Sequence, residues 1–208
     1  MNLWDQDAHA LAYLENAGGI PHRTEGESAL LELLPQRVTR VCDLGSGDGR
    51  LLQLVLARYP DAHAVALDFS PVLLDKLRAR FPSPSPIQVV EHSLDHPLPA
   101  MGSFDAVVSS FAIHHVNHAR KRRLYAEIFR QLSPGAVFCN LEHVASPSPK
   151  VHLDFLRTIG IRPEDEDPSN KLLDMETQLG WLSELGFIDV DCFWKWRELA
   201  LLAGTKPS

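Results

Sequence analysis

Three groups of residues in this chain have the types and spacing that chemistry requires. Asp43-Leu44-Gly45-Ser46-Gly47-Asp48-Gly49 sets an acid two places before the first of three alternate glycines. Gly45, Gly47 and Gly49 let the backbone turn sharply and let a ligand approach with no Cβ in the way. A carboxylate at Asp43 repels a pyrophosphate and suits a ligand carrying an ammonium or sulfonium charge. Asp68 lies 19 residues after Gly49 (68 − 49), the spacing at which an acid ending the next strand accepts both hydroxyls of a ribose. His114-His115 and Glu142-His143 supply imidazoles and a carboxylate, and an imidazole titrating near neutrality is the natural general base.

These groups need strands that end at them and helices that start after them. Val38 to Leu44 reads as a short buried parallel strand, and Leu51, Leu52, Leu54, Val55 and Leu56 give the following helix its apolar face. Ala62 to Leu67 is a second strand, with Ser70 as cap and Pro71 at the first position of the next helix. Ile87 to Val90 is a third strand, and Phe104-Asp105 opens a fourth. Ala119 to Leu132 is expected to be helical, with Leu124, Ile128 and Leu132 on one side and Arg123 spaced to pair with Glu127. Its basic start, Arg120 to Arg123, is expected to be a solvated face. Ser133-Pro134-Gly135 predicts a turn into a fifth strand, Ala136 to Val144. Asp174 caps a helix running to Leu185, and Ile188 to Trp196 with Glu198 to Ala203 makes a hairpin turning near Arg197. Trp194 and Trp196 share a face and are expected to pack.

At the front, residues 2 to 16 predict an amphipathic helix with Trp4, Leu11, Tyr13 and Leu14, broken at Gly18-Gly19. Thr24-Glu25-Gly26-Glu27 has the form of a capping box for a helix ending before Pro35. The architecture predicted is a three-layer, doubly wound α/β domain: a seven-stranded, mostly parallel Rossmann-like sheet with a C-terminal antiparallel hairpin. Residues 1–37 form an arm or lid, 38–208 the ligand-binding domain, and about 145–173 an insert capping the substrate.

The glycine pattern is G-x-G-x-G, whereas the dinucleotide fingerprint is G-x-G-x-x-G. Asp43-x-Gly45-x-Gly47-x-Gly49 resembles motif I of the class I S-adenosylmethionine-dependent methyltransferases. Ser109-Ser110-Phe111-Ala112-Ile113-His114-His115 resembles motif IV of their small-molecule members, of the type 11, 12 and 25 methyltransferase domains. The resemblance covers roughly residues 38 to 204. It implies S-adenosylmethionine as cofactor, held by Asp43, Gly45, Ser46 and Gly47, with Asp68 and Phe69 at the ribose. Backbone groups of Ser93 and Leu94 would meet the adenine, although His92-Ser93 replaces the usual acid-plus-small pair. Ser109 and Ser110 would flank the methionine end, and Arg23, from an arm that covers the cofactor in such families, is a further contact. The reaction implied is methyl transfer to an O, N or C nucleophile of a small molecule, with His114, His143 and Glu142 as candidate catalytic groups.

The formal charge of −7 among 208 residues argues against a general nucleic-acid binder. Three scattered cysteines, Cys42, Cys139 and Cys192, read as small packed residues, and no metal-ligand set is evident. The polar start and the lack of any long apolar run give the cytoplasm as the expected location, with no membrane partner and a homodimer allowed. The rivals are a tRNA-modifying methyltransferase, a non-catalytic S-adenosylmethionine-binding module and an NAD-linked oxidoreductase. The last is disfavoured by the glycine spacing and by Asp43.

Overall fold

A computed structural model describes residues 20–208. The expected helix over 2–16, with Trp4, and the Gly18-Gly19 break lie outside them. In chain order the elements are α1 (Arg23–Leu33), β1 (Arg40–Leu44), α2 (Arg50–Arg58), β2 (His63–Asp68), α3 (Pro71–Arg80), β3 (Ile87–Glu91) and β4 (Phe104–Ser110). Then come a 3-10 turn (Ile113–His115), α4 (His118–Gln131), β5 (Leu132–His143), α5 (Pro149–Thr158), a second 3-10 turn (Pro163–Asp165), α6 (Met175–Glu184), β6 (Ile188–Trp196) and β7 (Leu199–Thr205).

The seven strands form one sheet in the order β3-β2-β1-β4-β5-β7-β6. β1 to β5 run parallel, β7 is antiparallel to β5, and β6 is antiparallel to β7. β1 sits between β2 and β4, with Asp43 level with Ala66 on one side and Val108 on the other. Alternation along β1 divides the core. Val41 packs with Leu30, Leu52, Val55 and Phe155 on one face; Cys42 and Leu44 pack with Leu124, Tyr125, Ile128 and Phe187 on the other. Helices therefore cover both faces, as a buried parallel sheet requires. The architecture predicted from the sequence is the one observed.

Three local expectations need correction. α1 has no side-chain cap: its N-cap is His22 in a left-handed conformation, and Glu27 points inward to arginines instead of back to the helix start. Arg120 and Lys121 are buried, and Glu127 pairs with Arg120, not with Arg123. The Ser133-Pro134-Gly135 turn is absorbed into β5, because the Gly135 N–H donates to Lys206 O and the Lys206 N–H to Ala136 O, extending the pairing with the last strand. The 3-10 turn brings the His114 and His115 rings to 4.0 Å between centroids. Asp174 does cap α6, accepting from the Thr177 N–H, and Trp194 and Trp196 pack against the core.

Candidate active site

The carboxyl ends of β1, β2 and β4 open into one cavity of about 760 Å3. The glycine loop forms its floor. Ser46 donates through its hydroxyl to Asp43 O (2.8 Å) and through its N–H to Leu67 O (2.8 Å), which fixes the loop between β1 and β2. Gly45 has φ 68°, and a Cβ there would lie 2.2 Å from the Ala112 Cβ, so β4's exit packs directly on the loop. Gly47 has φ 56°, and a Cβ there would meet nothing within 4 Å. Gly45 is required by its neighbours; Gly47 leaves space on the ligand side.

Two acids flank that space. Asp68 accepts from the Gly47 N–H (2.8 Å) and the Ser70 N–H (2.9 Å), and burial pushes its carboxyl up against the pull of those bonds. Asp43 is buried, and its Oδ2 has no hydrogen-bond partner among the described residues. Burial raises the Asp43 carboxyl to about 7, with the Asp68 charge adding to the rise. A buried carboxylate oxygen left unpaired is costly, and a cationic ligand group beside it removes the cost. The residues present therefore fit a ligand whose ammonium end meets Asp43 and whose polyol lies at Asp68.

Of the residues assigned to the cofactor from the sequence, Arg23, Asp43, Gly45, Ser46, Gly47, Asp68, Phe69, Ser93, Leu94 and Ser110 line the cavity. Ser109 does not; it is buried and donates to Leu44 O (2.8 Å), joining β4 to β1. Ser110 Oγ is buried with no partner among the described residues, and Phe111 turns the chain at φ 54°. Arg23 lies over the Phe111 ring at 5.5 Å and pairs with Glu27 (2.9 Å), which also takes Arg50 (2.8 Å). Arg120 donates to Leu94 O (2.9 Å) and His96 O (2.6 Å), so α4 holds the loop that carries Ser93 and Leu94.

Of the imidazoles, His115 lines the cavity and His114 stands behind it. His114 Nδ1 is 2.8 Å from Glu142 Oε1; burial lowers the His114 pKa more than Glu142 raises it. Glu142 is fully buried, yet its carboxyl stays below the usual range because His114 and Lys121 favour the anion over the cost of burial. His143 Nε2 binds Glu198 (2.9 Å), and neither Glu142 nor His143 reaches the cavity.

Sequence reasoning missed the other wall. Pro168, Ser169 and Lys171 from the 145–173 insert line the cavity; Ser169 Oγ lies 2.8 Å from His115 Nδ1, and the Lys171 N–H donates to His114 O (2.8 Å). Pairings across some 50 residues leave no local signal.

Among the described residues no group of side chains could hold a metal, and no helix is long and apolar enough to cross a membrane. Residues 41–135 match the model of a family described as a methyltransferase domain. A trans-aconitate 2-methyltransferase of Methylobacterium nodulans is 34% identical over 133 residues, which span 64% of this chain and 46% of that protein. The chain thus spans under half of that relative's length. An O-methyltransferase family protein from Burkholderia thailandensis superposes with TM-score 0.73 at 19% identity, over 99% of this chain and 62% of that one. Human N-acetylserotonin methyltransferase, in complex with S-adenosylmethionine, superposes with TM-score 0.70 at 17% identity, over 99% and 58%. Residues 41–135 thus match a methyltransferase domain, and with the glycine loop, the two acids and the strand order this part of the chain is similar to the class I S-adenosylmethionine-dependent methyltransferases.

Proposed function

We propose that this protein transfers a methyl group from S-adenosylmethionine to a nucleophilic atom of a small molecule. The observation that carries the reading is the buried Asp43 Oδ2, without a hydrogen-bond partner among the described residues, beside a glycine loop whose Gly47 faces open space. In this reading Asp43 takes the ammonium, Asp68 and Phe69 border the ribose, Ser93 and Leu94 meet the adenine, and Ser110 and Phe111 face the methionine end. Ser109 acts one step back, by holding β4 on β1. The bound cofactor supplies an electrophilic methyl on a sulfonium, which departs as S-adenosylhomocysteine, so the chain's task is mainly alignment.

For an acceptor that must lose a proton, His115 is the imidazole at the cavity wall. His114, fixed through Nδ1 by the anionic Glu142, backs that ring. His143 belongs to a separate carboxylate cluster and is assigned a supporting role. A relative named for trans-aconitate supports a small-molecule acceptor. The cytoplasm is the location that goes with this reading.

Calorimetric titration tests it. S-adenosylhomocysteine is expected to bind, NAD to give no heat, and Asp68→Ala to lose the binding. Binding of NAD alone would overturn the proposal.

A further inference from the structure

The 166–171 segment is a strap over the cavity with two ends. At one end Ser169 Oγ meets His115 Nδ1 (2.8 Å), and the Lys171 N–H donates to His114 O (2.8 Å). At the other end Glu166 Oε2 lies 3.0 Å from His152 Nε2, on α5. The opposite ring nitrogen, Nδ1, lies 3.1 Å and 3.2 Å from the two carboxylate oxygens of Glu198, in the β6–β7 turn. His152 is thus clamped between two carboxylates.

That geometry specifies a protonation state. An ionised carboxylate only accepts hydrogen bonds, and a neutral imidazole has one donor nitrogen. Bonds to Glu166 and Glu198 together require both ring nitrogens to donate, which only the imidazolium does. The surrounding groups support the cation. Burial lowers the His152 pKa, but the two carboxylates outweigh it and hold it above the ordinary value. Glu198, which burial would raise, is instead lowered by His143, by Ser146 through its hydroxyl and by His152. His143 Nε2 faces Glu198 from the end of β5 (2.9 Å), and Asn170 faces Glu166 from within the strap (3.4 Å).

We propose that His152 is a positioning residue: as an imidazolium it clasps the strap 166–171 to the sheet and so holds Ser169 against His115. When neutral, the ring donates to Glu198 or to Glu166 but not to both, its remaining lone pair faces a carboxylate, and the strap is released. The sign follows from the raised pKa: the clasp is closed at pH below it and opens as pH rises through it. Only the consequence for catalysis, through His115, rests on the methyltransferase reading. The clasp itself is a property of the free protein.

Hydrogen exchange of the free protein, corrected for intrinsic rates, reads it directly from about pH 5.5 to 8.5. The Ser169, Asn170 and Lys171 amides, which donate to Asp167 Oδ1, Asp167 O and His114 O, are expected to be evenly protected at low pH and to lose up to about tenfold in protection per pH unit above the His152 pKa. His152→Gln offers one donor and one acceptor end, so its strap is expected to exchange fast at every pH while β1 and β4 stay protected. If that variant loses protection throughout, Glu166→Ala, which removes the acceptor but leaves the His152–Glu198 contact in place, is expected to free the strap alone. A strap whose protection is flat with pH in the unaltered protein, or unchanged in both variants, overturns the proposal. S-adenosylhomocysteine titration on the same samples separates the two readings: its failure counts against the methyltransferase assignment and leaves the exchange result standing.

Discussion

Burial holds the Asp43 carboxyl up at about 7, with Asp68 adding to the rise, and the consequences run in opposite directions for the free and the liganded protein. In the free fold, ionising Asp43 costs stability that accumulates as pH rises from the unfolded value of 3.8 towards 7, on the order of 4 kcal/mol. Asp43→Asn removes that cost, so the fall in thermal midpoint between pH 5 and pH 8 is expected to shrink in the variant. A cationic ligand selects the ionised form. Calorimetry of S-adenosylhomocysteine should therefore show affinity falling by up to about tenfold per unit as pH drops below 7, with the slope lost in Asp43→Asn. The two loop glycines offer a second contrast. Gly45→Ala sets a Cβ 2.2 Å from Ala112 and is expected to unfold the protein by several degrees. Gly47→Ala meets no protein atom within 4 Å and costs only the strain of its positive φ, about 1 kcal/mol, so its damage is expected in cofactor affinity.

α1 and α4 are joined to the site through buried charge. Glu27 accepts from Arg23, its neighbour on α1, and from Arg50 at the start of α2, tying the N-terminal helix to the one that follows the glycine loop. Glu27→Ala is expected to destabilise by about 3 kcal/mol in urea unfolding, because it removes a buried carboxylate shared by two guanidiniums. Arg120 anchors the 92–96 loop from α4, and Arg120→Met is expected to weaken S-adenosylhomocysteine binding tenfold or more while the Asp43-dependent pH slope persists. These elements also mark where the sequence is readable. The acid-glycine loop, Asp68 and the strand-helix alternation were legible because each is a local pattern of period, turn and terminus. Glu27 and Arg120 were misread because helix-surface rules assign charges to water or to a neighbour three or four places on, whereas each also bonds outside its own helix, Glu27 to Arg50 and Arg120 to the Leu94 and His96 carbonyls. Ser109 and Ser110 are adjacent in sequence; β4 alternation alone decides which faces the cavity, and that needs the register with β1.

For the molecule as a whole, 27 acidic side chains outnumber 20 basic ones, and Arg120 and Lys121 of the basic run at 120–123 are buried. Filter binding to tRNA is expected to give at most weak affinity, abolished by moderate salt; tight, sequence-selective retention would instead favour an RNA acceptor. The strand order places β6 on the outside, and its own course makes it a poor seam. The β6–β7 pairing slips register between Ile188 and Asp191 and again between Cys192 and Trp194. Asp189 lies at φ 52°, and Asp191 and Lys195 put charges on the exposed side. A bent, charged rim of this kind offers no straight ladder for another chain to zip onto, so copies of the protein at high concentration are guarded against growing into open-ended β fibres.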